Sequence, residues 1–395
     1  MNRVPFAFFA LALPAALILV PEELSAQGVV SGNAFNPSIS LILDGKYSYY
    51  SDDPDDLVLP GFLADEEIGP PEEGLSLGES ELVMSANIDD QFYGFFTAAL
   101  EDEDGDTEIE LEEAWIQTLA LPYGLGIKAG KFYSDIGYHN VKHPHTWDFV
   151  DAPLAYSVFL GGNYGDTGAQ LRWVAPTTQF IELGGEVLRG DSFPANGAAN
   201  DGAGAFTLFA RTGGDIGASQ SWRFGLSLLS ADAEERDSGE GDVTFDGDSD
   251  LYMVDFVWKW AENGNSKLRN LVVAAEYMHR EEDGDVAIED SGDAEYDGDQ
   301  DGLYAQAVYQ FRPKWRVGVR YDYLTSSNDM DGFAEPTLLD DGDDPYRFST
   351  MLDFSHSEFS RLRLQASYLD TGATDDTQIF LQYIMSLGAH GAHKF

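Results

Sequence analysis

From residue 39 to residue 49 the side chains alternate in kind. Ile39, Leu41, Leu43, Tyr47 and Tyr49 share one parity, and Ser40, Asp44, Lys46 and Ser48 share the other. A β-strand sends successive side chains to opposite faces, so the pattern predicts one apolar and one polar face. The same alternation recurs at residues 81–89, 92–100, 108–117, 124–132, 168–175, 179–188, 205–212 and 221–229. It continues at 250–260, 268–280, 302–311, 315–324, 347–354, 361–369 and 378–387. That makes about sixteen strands of roughly 9–11 residues, the length that crosses a bilayer obliquely. One segment resists the rule. In 108–117, Leu111 and Trp115 share one parity while Ala114 and Ile116 share the other.

The links between segments alternate in length. Short ones lie at 89–91, 120–123, 176–178, 213–219, 261–267, 312–314 and 355–360. Long ones lie at 51–80, 133–166, 189–204, 230–249, 281–301 and 325–345, with two shorter polar ones at 101–107 and 370–377. Trp173, Phe180, Trp222, Trp258, Trp260, Phe311 and Trp315 gather beside the short turns, and Tyr47, Tyr49, Tyr277, Tyr321, Tyr323 and Tyr368 at the opposite ends. Aliphatic side chains such as Leu41, Val254, Val317, Val319, Leu362 and Leu364 fall between. Two aromatic belts around an apolar band describe the outer wall of a membrane barrel. The expected fold is therefore all-β: a transmembrane antiparallel β-barrel of about 16 strands, with short periplasmic turns and long acidic extracellular loops. A soluble β-sandwich would bury aromatic faces too, but leaves the alternation of loop lengths unexplained.

Composition sharpens this picture. Met1–Arg3 are followed by an apolar run over residues 4–20 and by the small-residue site Leu24-Ser25-Ala26. Residues 1–26 thus read as a cleaved signal peptide, 27–37 as a short periplasmic segment and 38–395 as the barrel of a Gram-negative outer membrane. No later apolar run is long enough for a membrane helix, so a spanning structure has to be a closed barrel. Phe395 extends the apolar parity of Ile379, Leu381, Tyr383, Met385 and Leu387, like the terminal signal read by the barrel assembly machinery. The chain has no cysteine, which excludes disulfides and thiolate chemistry. A formal charge of -48 excludes nucleic acid as a partner.

Opposite the apolar faces stand the candidate pore-lining residues Lys46, Lys128, Arg172, Arg223, Arg316, Arg320 and Arg363, with Glu182 and Glu186. Arg347 and Arg361, and Asp44, Asp255, Asp322 and Asp353, share that polar parity. Lumen charges of both signs set up a transverse field, and a basic ladder predicts a preference for anions. The link 133–166 carries Tyr138-His139-Asn140-Val141-Lys142-His143-Pro144-His145. There His139, His143, His145, Asp148 and Asp151 are the candidate ligands for Zn2+ or a similar ion at a constriction. His390 and His393 form a second, weaker pair near the end. Asp297-Gly298-Asp299-Gln300-Asp301-Gly302 matches half a calcium loop but lacks the Glu expected six residues past its Gly. Such acidic runs, also at 101–106, 246–250 and 340–344, are expected to be solvated loops neutralised by Ca2+ or Mg2+ shared with lipopolysaccharide, with a specific calcium site as the alternative. No spacing singles out a catalytic set, so no enzyme is expected and no cofactor is required.

The run 111–138, with Glu113-Ala114-Trp115 and Gly126-Ile127-Lys128-Ala129-Gly130-Lys131-Phe132, resembles the central hairpin of the phosphate-selective porin O and P group. That resemblance implies that the next loop folds inward and narrows a pore. Residues 36–44, 75–90, 143–153 and 381–395 look more specifically like the family labelled zinc-regulated TonB-dependent outer membrane receptor. The label implies metal uptake, yet such receptors add a plug to a barrel of about 22 strands, more than this length holds. The expected function is a porin-like channel for passive diffusion of small polar solutes or ions, with a metal uptake receptor or binding barrel as the alternative. Outer-membrane lipid and lipopolysaccharide are the expected surroundings, and analogy with sixteen-stranded porins implies a homotrimer.

Overall fold

The computed structural model describes residues 37–388, apart from 55–56, 65–69, 72, 104–105, 197–201, 239–242, 289–291, 332–337 and 339–343. The expected signal peptide, Phe395, His390 and His393 lie outside the described residues, as do most of the segment 27–37 and most of the acidic run 340–344. Among the described residues the chain forms β1 (Ser38–Tyr49), β2 (Gly74–Leu77), β3 (Ser80–Asn87), β4 (Phe92–Glu103), β5 (Asp106–Thr118) and β6 (Leu125–Tyr133). One helix, α1 (Leu154–Leu160), precedes β7 (Gly165–Val174), β8 (Phe180–Leu188) and β9 (Ala205–Ile216). Then come β10 (Gln220–Ser238), β11 (Val243–Ala261), β12 (Asn270–Ile288), β13 (Gly292–Arg312) and β14 (Trp315–Asp331). The last three are β15 (Tyr346–Ser357), β16 (Ser360–Asp370) and β17 (Asp375–Gly388).

Apart from β2 and β3, each strand pairs antiparallel with its neighbour in sequence, and β17 returns to β1, so the sheet closes with no free edge. β2 and β3 both pair with β1, Gly45 opposite Leu77 and Ile42 opposite Glu81. They are two halves of one barrel position, broken at Gly78 and Glu79, which leaves a closed barrel of 16 strands. β2 itself is too short to show a period in the sequence. At the break, the Gly78 N–H donates to the Asp44 carbonyl over 2.9 Å, and a Cβ on Gly78 would come within 2.6 Å of the Asp44 carboxylate.

Two features differ from the sequence expectation. The links expected at 230–249 and 281–301 are mostly strand: β10 to β13 run for 19, 19, 19 and 21 residues. Far from the apolar band the outward face turns acidic, so the greasy-to-polar contrast that marks a strand is lost. The alternation persists in another form. Ala233, Phe245, Val286, Ala294 and Tyr296 point inward and are covered by Leu63 and Leu338 from the β1–β2 and β14–β15 links. Asp246, Asp248, Asp283, Asp285, Asp297 and Asp299 point outward and are exposed.

The second difference is the half calcium loop, which is β13. Asp297, Asp299 and Asp301 sit on every second residue of a strand, their Cα atoms about 7 Å apart, and so do not form the loop that the motif describes. Their partners lie across the sheet, where Asp248, Asp283, Asp297 and Asp329 form one row of registered residues.

Candidate channel constriction

The β6–β7 link, residues 134–164, folds into the barrel. Its α1 buries Leu154, Tyr156, Phe159 and Leu160 in one apolar cluster with Leu229, Leu251, Met253, Met278, Tyr304 and Leu324 of the inner wall. Polar anchors fix its entry and exit. The Asn140 amide donates to the carbonyls of Ser134 and Tyr164, both at 2.8 Å, and its oxygen accepts the Tyr164 N–H at 2.7 Å. Glu276 on β12 accepts the Tyr138 and His139 N–H groups and the Tyr156 and Tyr304 hydroxyls, at 2.7 to 2.9 Å.

Beyond these anchors the link crosses between two oppositely charged walls. On β14–β16, Arg316 pairs with Asp148 at 2.9 Å and with Asp353. Arg320 pairs with Asp151 and Asp322, both at 2.9 Å, and Arg347 with Asp151 at 2.6 Å. Arg363 bonds Asp353 and the Trp147 carbonyl at 2.8 Å, and Arg361 bonds the His145 carbonyl at 2.7 Å. Burial pushes the Asp151 carboxyl up, but Arg320 and Arg347 outweigh it and hold it at about 2. Asp148 is likewise lowered, with Arg316 overcoming burial.

On β3 and β5 the wall is acidic. His143 Nε2 lies 2.9 Å from Glu113, and its Nδ1 lies 3.3 Å from Glu81 and 3.5 Å from Glu112. His145 Nδ1 contacts Glu81. Burial pulls the His143 imidazolium down, but Glu81, Glu112 and Glu113 overrule it and hold it well above 6.5.

Glu112 and Glu113 are consecutive, yet both are buried inside. A bulge allows this: Thr97 pairs with Glu113 and Ala98 with Leu111, so Glu112 is the extra residue. The bulge also explains the mixed parity of the segment, because Leu111, Ala114 and Ile116 end on the outer side while Trp115 turns in and donates to Glu113 over 3.0 Å. Two adjacent glutamates amid a parity break were the signal available in the sequence.

The five residues grouped as metal ligands do not converge. His143 and His145 reach the acidic wall, whereas Asp148 and Asp151 pair with arginines on the other. His139 stands apart, its ring tilted against Trp147 and Tyr156 at 4.9 and 4.8 Å between centroids, and burial pushes its imidazole well below 6.5. The reason is that the link crosses from one wall to the other between His145 and Asp151, through a 3-10 turn at Pro144–Thr146 and a run of bends.

The pore-lining candidates all sit on inward parity, but as paired groups. Lys46 lies 3.6 Å from Asp44, Lys128 lies 3.8 Å from Asp135, and Arg172 lies 3.8 Å from Glu182. Arg223 bonds Asp255 at 3.0 Å and the Gly137 carbonyl at 2.8 Å. Glu182 also holds Arg211 at 3.3 Å, and Glu186 accepts the Asp135 N–H at 3.0 Å and the Thr207 hydroxyl at 2.5 Å. Sequence parity placed these side chains; it could not show that wall carboxylates pair with Lys46, Arg172 and Arg223, and the inward link with Lys128, Arg316 and Arg320.

Residues 38–387 match the family model described as "Putative beta-barrel porin-2, OmpL-like". An uncharacterized protein of Aquifex aeolicus (strain VF5) is 32% identical over 408 residues, covering 95% of this chain and 83% of its own. Among solved structures, OmpT of Vibrio cholerae, an outer membrane protein in its trimer form, superposes with a TM-score of 0.56 at 10% identity, covering 89% of this chain and 99% of its own. OprB of Pseudomonas putida gives 0.56 at 12% identity, covering 89% and 94%. The outer membrane channel DcaP of Acinetobacter baumannii gives 0.54 at 12% identity, covering 89% and 97%. At such identities these structures are alike in fold.

Proposed function

The chain belongs to the beta-barrel porin-2, OmpL-like family of outer-membrane barrels, and from that premise we propose that it is a channel for passive diffusion of small polar solutes or ions. The observation that carries the reading is the β6–β7 link, held across the lumen between an arginine wall and a glutamate wall. A narrowing flanked by opposite charges orients polar solutes in a transverse field. Because the arginines are paired with Asp148, Asp151, Asp322 and Asp353, we propose weak selectivity rather than the anion preference expected of a basic ladder. A plugged receptor is disfavoured, since residues 37–388 are barrel and its links wherever they are described.

The trimer form named for the Vibrio cholerae protein supports a homotrimeric assembly here, to be checked by crosslinking in detergent. Divalent counterions shared with lipopolysaccharide would neutralise the outer carboxylate rows. Planar-bilayer recording of the purified protein tests the main reading. Discrete conductance steps are expected, with reversal potentials near zero in a salt gradient. Folded protein that inserts and gives no steps would overturn it.

A further inference from the structure

We propose that Glu79, Glu81, Glu112 and His143 form a binding site for one divalent first-row transition-metal ion, a set different from the histidine-aspartate grouping read from the sequence. One donor atom from each of the four lies within 4.8 Å of the others. The Glu79 Oε1 and Glu112 Oε2 atoms are buried and make no hydrogen bond, and the buried Glu81 Oε2 and His143 Nδ1 face each other as an ion pair at 3.3 Å. The Glu81 side chain is 0% exposed and that of Glu112 4%. Buried polar atoms are nearly always satisfied, so two unpartnered carboxylate oxygens beside that ion pair describe a ligand set.

The surrounding contacts hold these groups as ligands are held. His143 Nε2 lies 2.9 Å from Glu113, so Nδ1 faces the cluster and becomes a ligand once an ion displaces its proton. Glu81 rests its other oxygen on His145, and Glu112 takes the Tyr133 hydroxyl on its Oε1 at 2.6 Å, so each keeps one oxygen for the site. Carboxylate-to-histidine bonds of this kind fix the tautomer of metal-bound imidazoles. Two departures from regular sheet deliver the acids: the break at Gly78 and Glu79 between β2 and β3, and the bulge at Glu112.

Three carboxylates and one imidazole suit Zn2+, Mn2+ or Fe2+, while the absence of sulfur disfavours Cu(I). Ca2+ prefers six to eight oxygens, and an imidazole is a poor member of such a shell. A tetrahedron of donors about 2.1 Å from an ion has edges of about 3.4 Å, so each donor atom has to move by less than about 1 Å. The site stands on its own donors and not on conduction, so its failure and that of the channel reading are separable.

The test uses the full chain purified in detergent, stripped with EDTA and titrated with Zn2+ and Mn2+ by calorimetry. One equivalent is expected, weakened at least tenfold in Glu112→Gln and in His143→Gln and unchanged in His279→Ala, which removes the half-buried His279 from its cluster with Asp299 and Asp301 on the outer wall. Heat-modifiable mobility on gels reports folding of each variant. If a variant does not fold, X-ray absorption at the zinc edge of His279→Ala decides: one imidazole with oxygens supports the site, and none, or two or more, overturns it. No stoichiometric binding, or binding lost only in His279→Ala, also overturns it.

Discussion

At the scale of single residues, the pairs that pin the β6–β7 link decide how wide the lumen is. Arg320 is 1% exposed and touches both Asp151 of the link and Asp322 of the wall. Removing one partner from a buried pair leaves a charge without compensation, at a cost of about 3–5 kcal/mol. Asp151→Ala should therefore release this end of the link, and bilayer recording should show a larger, noisier conductance than the wild type. The same contact gives a pH signature. Asp151 is held at about 2, below its ordinary 3.8, so the stabilisation is complete above about pH 4 and drains as the pH falls through 2. Conductance should stay flat from pH 7 to about 4 and rise below it, whereas Asp151→Asn should show the acid value already at pH 7. A wild-type profile flat down to pH 2 would remove Asp151 from the clamp. Inward placement of Arg320 was legible from its parity, but its partner was not. Asp151 sits in a link without period, and nothing local says which wall it meets.

At the scale of elements, regular alternation was legible and interruptions of it were not. Every one of the sixteen segments read from the pattern overlaps a strand, because lipid on one side and a polar lumen on the other enforce the period of two. Beyond the membrane both faces grow polar or small, which is why β10 to β13 outrun their expected ends by whole turns of the pattern. In β5 the mixed parity was visible, and its cause is the single extra residue Glu112. That cause yields an unusual expectation. Deleting one residue from a strand ordinarily flips every side chain beyond it to the wrong face. Deleting Glu112 should instead restore a regular ladder, with Leu111 still outward and Glu113 still inward, and the protein should keep its heat-modifiable folded band. Deleting Ala114, two residues on, should abolish that band. Equal tolerance of both deletions would show that the bulge is not what sets the register of β5.

At the scale of the whole molecule, the outer surface divides into an apolar band and an acidic crown, and the boundary sets the depth of the barrel in the membrane. Along β11 to β14 the outward residues Val254, Phe256, Val317 and Val319 give way to Tyr252, Tyr277 and Tyr321, and then to Asp248, Asp283 and Asp297. Aromatic rings belong at the interface and carboxylates in water, so the rings mark the level of the lipid headgroups. The charge of -48, which on sequence alone read as loops, is thus carried in part by rigid wall. Registered like charges oppose one another across strands, and the sheet tolerates them because Leu63, Phe245, Val286 and Tyr296 pack its inner face. Because the chain has no cysteine, single cysteines report position without background. Asp297→Cys should react in intact cells with a bulky water-soluble maleimide. Val319→Cys, 46% exposed in the native residue but facing lipid, should stay unlabelled until detergent is added. Ser266→Cys, in the short β11–β12 turn, should react only once the outer membrane is made permeable. Labelling of Ser266→Cys before Asp297→Cys in intact cells would invert the barrel and place the crown in the periplasm.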